Sequence, residues 1–121
     1  DVLITGNVFG DILTDEASVI SGSMGLMPSA SVGLKTSIYE PIHGSYPQAK
    51  GKNIANPLAT ILSASMMFEG SFGLIEESEL IKQVVSDSIT KKIVTGDLSG
   101  NDKFYSTEEV GSWICKRIEK G

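Results

Sequence analysis

The chain has 121 residues, 40% of them apolar and 7% aromatic, which is material for one domain with a modest, aliphatic core. Fifteen acidic against ten basic side chains give a net charge of −5, and Arg117 is the sole arginine among the bases. This balance repels polyanions and leaves no basic stripe with interleaved aromatics, so nucleic-acid binding is not expected.

A single cysteine, Cys115, excludes an internal disulfide and suits a reducing compartment. With Val110, Trp113, Ile114 and Ile118 around it at helical spacing, it is expected to be a buried core thiol. No stretch approaches the ~20 apolar residues of a membrane span, and the opening residues have no signal-peptide shape. Cytoplasm is the expected location.

DVLIT reads as a buried strand ended by Gly6-Asn7. A core strand at the very beginning suggests a piece of something longer. Asn7 is the expected N-cap of a helix over 8–21, where Phe9, Ile12, Leu13, Ala17 and Ile20 form an apolar stripe. Asp11 falls in its N-terminal half, Asp15 and Glu16 follow just past its middle, and Gly22 can end it.

Residues 22–57 are rich in turn formers, with two short strand-like pieces around Ser31–Val32 and Ser37–Tyr39. The stretch 40–57 holds three prolines and no periodicity, and a long irregular loop in a small domain points to function. Asn56 and Pro57 suit an N-cap and first turn. Leu58, Ile61, Leu62, Ser65, Met66 and Phe68 then predict a helix buried nearly all round, punctuated by Gly70 and Gly73. A further helix is predicted over 77–94, with Leu80, Ile81, Val84, Val85 and Ile89 inward and Lys91-Lys92 at its end. After the turn material of 95–102, Ser106 and Glu109 form a capping box for a last helix reaching about Lys120.

Two groupings carry potential chemistry. Asp11 and Asp15, at i and i+4, share a helix face, where two carboxylates repel unless a cation neutralises them. A hard divalent ion takes such oxygen ligands, although spacing alone favours a solvated acidic face. His43, the sole histidine, lies in the Gly- and Pro-shaped loop EPIHGS, and spacing alone favours an ordinary loop histidine. That loop runs into the helix start at Asn56-Pro57, where amides and the positive dipole end suit an anion or polar ligand. There is no GxGxxG turn, no Cys/His metal cluster, no nucleophile elbow and no Walker motif.

Together, TGNVFGDILTDEAS (5–18), GSMGLMPSASVG (22–33), YEPIHGS (39–45) and GKNIANPLATILSASMMFE (51–69) resemble the isocitrate and isopropylmalate dehydrogenase family. The four stretches stand in the family's order and spacing, and MPSAS with EPIHGS resembles its isopropylmalate branch. The resemblance implies an incomplete two-domain α/β fold, helices packed on a partial sheet. Residues 1–21 would end the smaller, dimer-forming domain, and 22–121 would form the carboxyl-terminal half of the larger, cofactor-binding domain. It further implies NAD-dependent oxidative decarboxylation of 3-isopropylmalate in leucine biosynthesis, by a homodimer.

By the same resemblance, Asp11 and Asp15 would hold Mg²⁺ or Mn²⁺, with another aspartate from a second subunit. Gly25 and Ser29 would approach the nicotinamide end of NAD, and Glu40, His43 and Gly44 would lie along it, His43 near the adenosine. Asn56 and Asp97 would contact the adenine. Where NAD-preferring members carry an aspartate for the ribose hydroxyls, this chain has Gln48, which keeps a hydrogen bond but lacks the charge that repels a 2′-phosphate. The catalytic tyrosine and lysine and the substrate arginines have no match here, so no catalytic residue is expected in this chain. Alone, it is expected to be inactive, with exposed apolar faces that favour association or partial disorder. Alternative acids are isocitrate, homoisocitrate and tartrate or malate, and a different class of reading is a non-catalytic nucleotide-binding or regulatory subunit.

Overall fold

Three helices enclose the core of this structure, a computed structural model that describes residues 2–100 and 102–120. Asp1 of the expected first strand, Asn101 of the expected turn and Gly121 lie outside the described residues. In chain order the elements are α1 (Asn7–Ser21), β1 (Pro28–Val32), β2 (Ser37–Pro41), α2 (Leu58–Phe72), α3 (Ile75–Thr90), the single turn α4 (Gly96–Ser99) and α5 (Thr107–Ile118). The result is a helix-rich partial α/β fold, and no described helix is long and apolar enough to cross a membrane.

Leu58 of α2, Ile81, Val84 and Val85 of α3, and Val110 and Ile114 of α5 pack together as the buried cluster. Their recurrence at three and four residues is what aligns them on inward faces. Part of the contact between α2 and α3 is polar and small. Ser65 Oγ donates to Ser78 O at 3.0 Å, with the two hydroxyls 2.9 Å apart. At its exposed end, Lys82 bridges Glu69 at 2.6 Å and Glu79 at 2.8 Å. The Lys82 hydrogen bond holds the Glu69 carboxyl below its ordinary range.

Leu58 is fully buried. Leu58→Ala is expected to lower the unfolding free energy by about 2–5 kcal/mol, since a cavity adds to the lost transfer energy. The check is the urea midpoint at unchanged slope, and a change under about 0.5 kcal/mol would mean that the site is a surface one.

β1 and β2 form a two-stranded antiparallel hairpin in which Ser29 pairs with Glu40 and Ala30 with Tyr39. It lies on α2, where the Tyr39 hydroxyl is 2.9 Å from Ser71 Oγ. Gly70 is therefore inside α2 and makes room for Tyr39, while Gly73 alone ends the helix in a left-handed conformation.

Several expectations are corrected. Val2–Thr5 form no strand and are exposed, because no described segment pairs with their backbone. Gly6, not Asn7, caps α1, and it does so through its extended backbone. Cys115 is exposed: it follows Ile114 by one residue, about 100° around the helix and off the inward face. Ile89, at the last turn of α3, is also exposed, and the helix stops at Thr90 because Lys92 turns into the left-handed region. The apolar stripe of α1 faces outward, with Phe9 69% and Ile20 91% exposed, and only Ser18 of this helix is buried.

Candidate functional site

Four chain segments converge on one cleft: the turn after α1, the loop 43–46, the approach to α2 at 52–56, and the stretch from α4 to the first turn of α5. Its volume is about 1080 Å³, room for a large ligand. Gly25, His43, Gly44, Asn56 and Asp97 all lie on its wall, together with Tyr46, Lys52 and Tyr105.

Asn56 is fixed at both ends of its amide. Its Oδ1 accepts the Leu58 N–H at 3.0 Å, although α2 begins one residue later than expected, with Pro57 rather than Asn56 at the cap position, where its carbonyl accepts the Ile61 N–H. Its Nδ2 donates to Asp97 Oδ2 at 2.9 Å. The same carboxylate accepts the hydroxyls of Ser23, on Oδ2, and Thr95, on Oδ1. Partial burial pushes the Asp97 carboxyl upward, but the hydrogen bonds from Ser23, Thr95 and Asn56 outweigh it, and the net shift is downward. Because the folded value is depressed, this contribution to stability is present above the ordinary carboxylate range and is lost as pH falls through the folded value.

Gly25 is required here by proximity rather than by its dihedral angles. A Cβ on Gly25 would stand 2.7 Å from Asn56 Cβ and 2.8 Å from its Nδ2. The turn at 24–26 and the entrance of α2 meet at this point, with Ser23 Oγ accepting the Gly25 N–H at 3.0 Å.

On the other wall, His43 Nδ1 is 2.9 Å from Gly44 O, while Nε2 is buried without a hydrogen-bond partner among the described residues. A buried, unpaired ring nitrogen fits a site completed by a ligand. The loop below it is pinned to α5: the Thr107 and Glu108 N–H groups donate to Asn53 O and Oδ1 at 3.1 and 3.0 Å. Glu109, also on the wall, is held by its capping box with Ser106, whose backbone N–H and hydroxyl keep its carboxyl low.

Ser29, Glu40 and Gln48 are not on the cleft wall. Ser29 and Glu40 face each other across the hairpin, and Gln48 is exposed in a short turn over Pro47–Ala49. Asp11 and Asp15 lie on the exposed surface of α1, in no ion pair among the described residues. Among the described residues no group of three His, Cys, Asp or Glu side chains is placed to hold a metal. Two carboxylates one helical turn apart fit part of a hard cation's oxygen shell, the rest being left to water and other oxygen groups. Ser23 and Thr95 went unnoticed in the sequence; the Ser23-x-Gly25 pattern of a side-chain-closed turn was the available signal.

A helix-rich partial α/β fold with a cleft roomy enough for a large ligand is the class that the fold and site define. A family model described as isocitrate/isopropylmalate dehydrogenase matches residues 1–114, and the chain belongs to that family. Among curated proteins, a 3-isopropylmalate dehydrogenase of Bacteroides fragilis is 57% identical, covering 99% of this chain and 34% of its own length. Its counterpart in Thermotoga maritima is 49% identical with the same coverage, 99% and 34%. The chain thus spans about a third of the length of these relatives. Among solved structures, isocitrate dehydrogenase from Methylococcus capsulatus superposes with a TM-score of 0.85 at 35% identity, covering 98% of this chain and 34% of that one. A beta-decarboxylating dehydrogenase from Thermococcus kodakarensis gives 0.81 at 39% identity, with 94% and 32% covered.

Proposed function

We propose that this chain is the cofactor- and metal-binding carboxyl-terminal portion of an NAD- and divalent-cation-dependent dehydrogenase that oxidatively decarboxylates 3-isopropylmalate in leucine biosynthesis. The observation that carries the reading is the cleft in which Gly25, His43, Gly44, Asn56 and Asp97 meet. Asn56 and Asp97 offer a fixed donor and acceptor to an adenine edge. His43 offers its unpaired Nε2 to the adenosine. Ser29 and Glu40, neighbours across the hairpin, serve the parts of the dinucleotide beyond the cleft, and Gln48 its ribose hydroxyls.

Asp11 and Asp15 bind Mg²⁺ or Mn²⁺ with an aspartate from a second subunit of a homodimer, in the cytoplasm. When bound, the cation polarises the oxygens of the hydroxy acid and stabilises the charge that develops on loss of CO₂. Residues 1–21 end the smaller domain and 22–121 belong to the larger one. This division is supported by the packing: α2, α3 and α5 share one core, whereas α1 packs on the turn at 24–26 and leaves its stripe open.

The test is NADH formation by the full-length protein that carries this segment, assayed with 3-isopropylmalate, isocitrate and malate in turn. We expect turnover on 3-isopropylmalate, and Asn56→Ala is expected to raise KM for NAD about tenfold through loss of a half-buried hydrogen-bonding group at the cleft wall. Preference for another acid would overturn the substrate assignment, and unchanged KM for NAD in the variant would overturn the cleft as its site.

A further inference from the structure

Ser23 stands outside the cleft wall, yet it holds two of the residues that form it. Its hydroxyl donates to Asp97 Oδ2 and accepts the Gly25 N–H at 3.0 Å. Asp97 Oδ2 also takes Asn56 Nδ2 at 2.9 Å, and Asn56 in turn stands against Gly25 closely enough to leave no room for a Cβ. Ser23, Gly25, Asn56 and Asp97 therefore close a ring of contacts that joins the end of α1 to the start of α2.

We propose that Ser23 is a positioning residue for the dinucleotide, acting through Asp97 and Gly25 to hold the Asn56 amide in place at the cleft wall. The inference rests on the cleft being the dinucleotide site. Without the Ser23 hydroxyl, Asp97 Oδ2 keeps only Asn56 as a side-chain donor, and the Gly25 N–H loses its acceptor. The turn and the amide are then free to shift, and ordering them falls to the ligand at the expense of affinity. The backbone at Ser23 is extended, φ −159° and ψ 138°, a conformation that β-branched threonine favours while keeping the hydroxyl.

The experiment compares Ser23→Ala and Ser23→Thr in the full-length protein, with NAD as the probe and a thermal melt alongside. Ser23→Ala is expected to raise KM for NAD about three- to tenfold, the worth of one or two hydrogen bonds, with kcat and KM for the hydroxy acid within about twofold. Ser23→Thr is expected to keep KM for NAD within about twofold of the parent. Unchanged KM for NAD in Ser23→Ala, an equal loss in Ser23→Thr, or an equal loss in kcat would each overturn the proposal. Should Ser23→Ala fail to fold, Ser23→Cys, a weaker donor of similar volume, takes its place under the same criteria. Asn56→Ala separates the two levels. If it weakens NAD and Ser23→Ala does not, the positioning role fails alone; if neither weakens NAD, the cleft reading fails and takes the positioning role with it.

Discussion

Asp15→Asn in the full-length protein is expected to reduce metal-dependent turnover by about a thousandfold while leaving the fold intact. A bound divalent ion is worth several kcal/mol of charge stabilisation, and each ~1.4 kcal/mol is a factor of ten in rate. Asparagine keeps the size and one oxygen of Asp15 but removes a full charge from a site that has two carboxylates in this chain. The exposure of Asp15 on α1 separates this from a folding defect. Neutralising one of two like charges at i and i+4 should leave the helix unchanged or firmer by about 0.2–0.5 kcal/mol. The measurement is NADH formation across a MnCl₂ titration, beside a thermal melt. A parent-like rate at limiting Mn²⁺ would remove Asp15 from the cation site.

Gly25→Ala is expected to weaken NAD by at least about tenfold and to cost about 1–3 kcal/mol of stability, the range for overpacking a close contact. The new Cβ would lie 2.7 Å from Asn56 Cβ and 2.9 Å from its Cγ. Rotating Asn56 relieves the second contact but not the first, because Cβ is fixed to the backbone at the start of α2. Either the turn at 24–26 or the helix entrance must then move. Moving the helix entrance strains the Asn56–Asp97 bond, and moving the turn strains the Gly25 N–H bond to Ser23 Oγ. NAD titration and a melt read the two effects, and parent-like values in both would show that the turn yields freely.

The helices were legible because they repeat. The stripe from Leu58 to Phe68, the inward row Ile81, Val84 and Val85, and the Ser106–Glu109 box each declare a helix within a few residues. The hairpin was half legible: Ser31–Val32 and Ser37–Tyr39 marked its strands, and the structure extends them to Pro28 and Pro41. Cys115 was misread because neighbouring apolar residues at helical spacing do not fix where one further residue falls around the axis. Val2–Thr5 were read as a strand on apolar content alone, and a strand also needs a partner.

The sequence by itself determined the helical segments, the cap at Ser106, the acidic pair on α1 and the motif loops that mark the family. Those are short-range properties, set by periodicity, backbone sterics and charge within a turn or two. Only the tertiary structure decided which of the marked residues share a cleft, and that Ser23 and Thr95 join them around Asp97. Ser23 and Asp97 are 74 positions apart, and no spacing rule encodes a hydrogen bond that forms only after α1, α2 and the turn at 95–97 have been brought together by the burial of other residues.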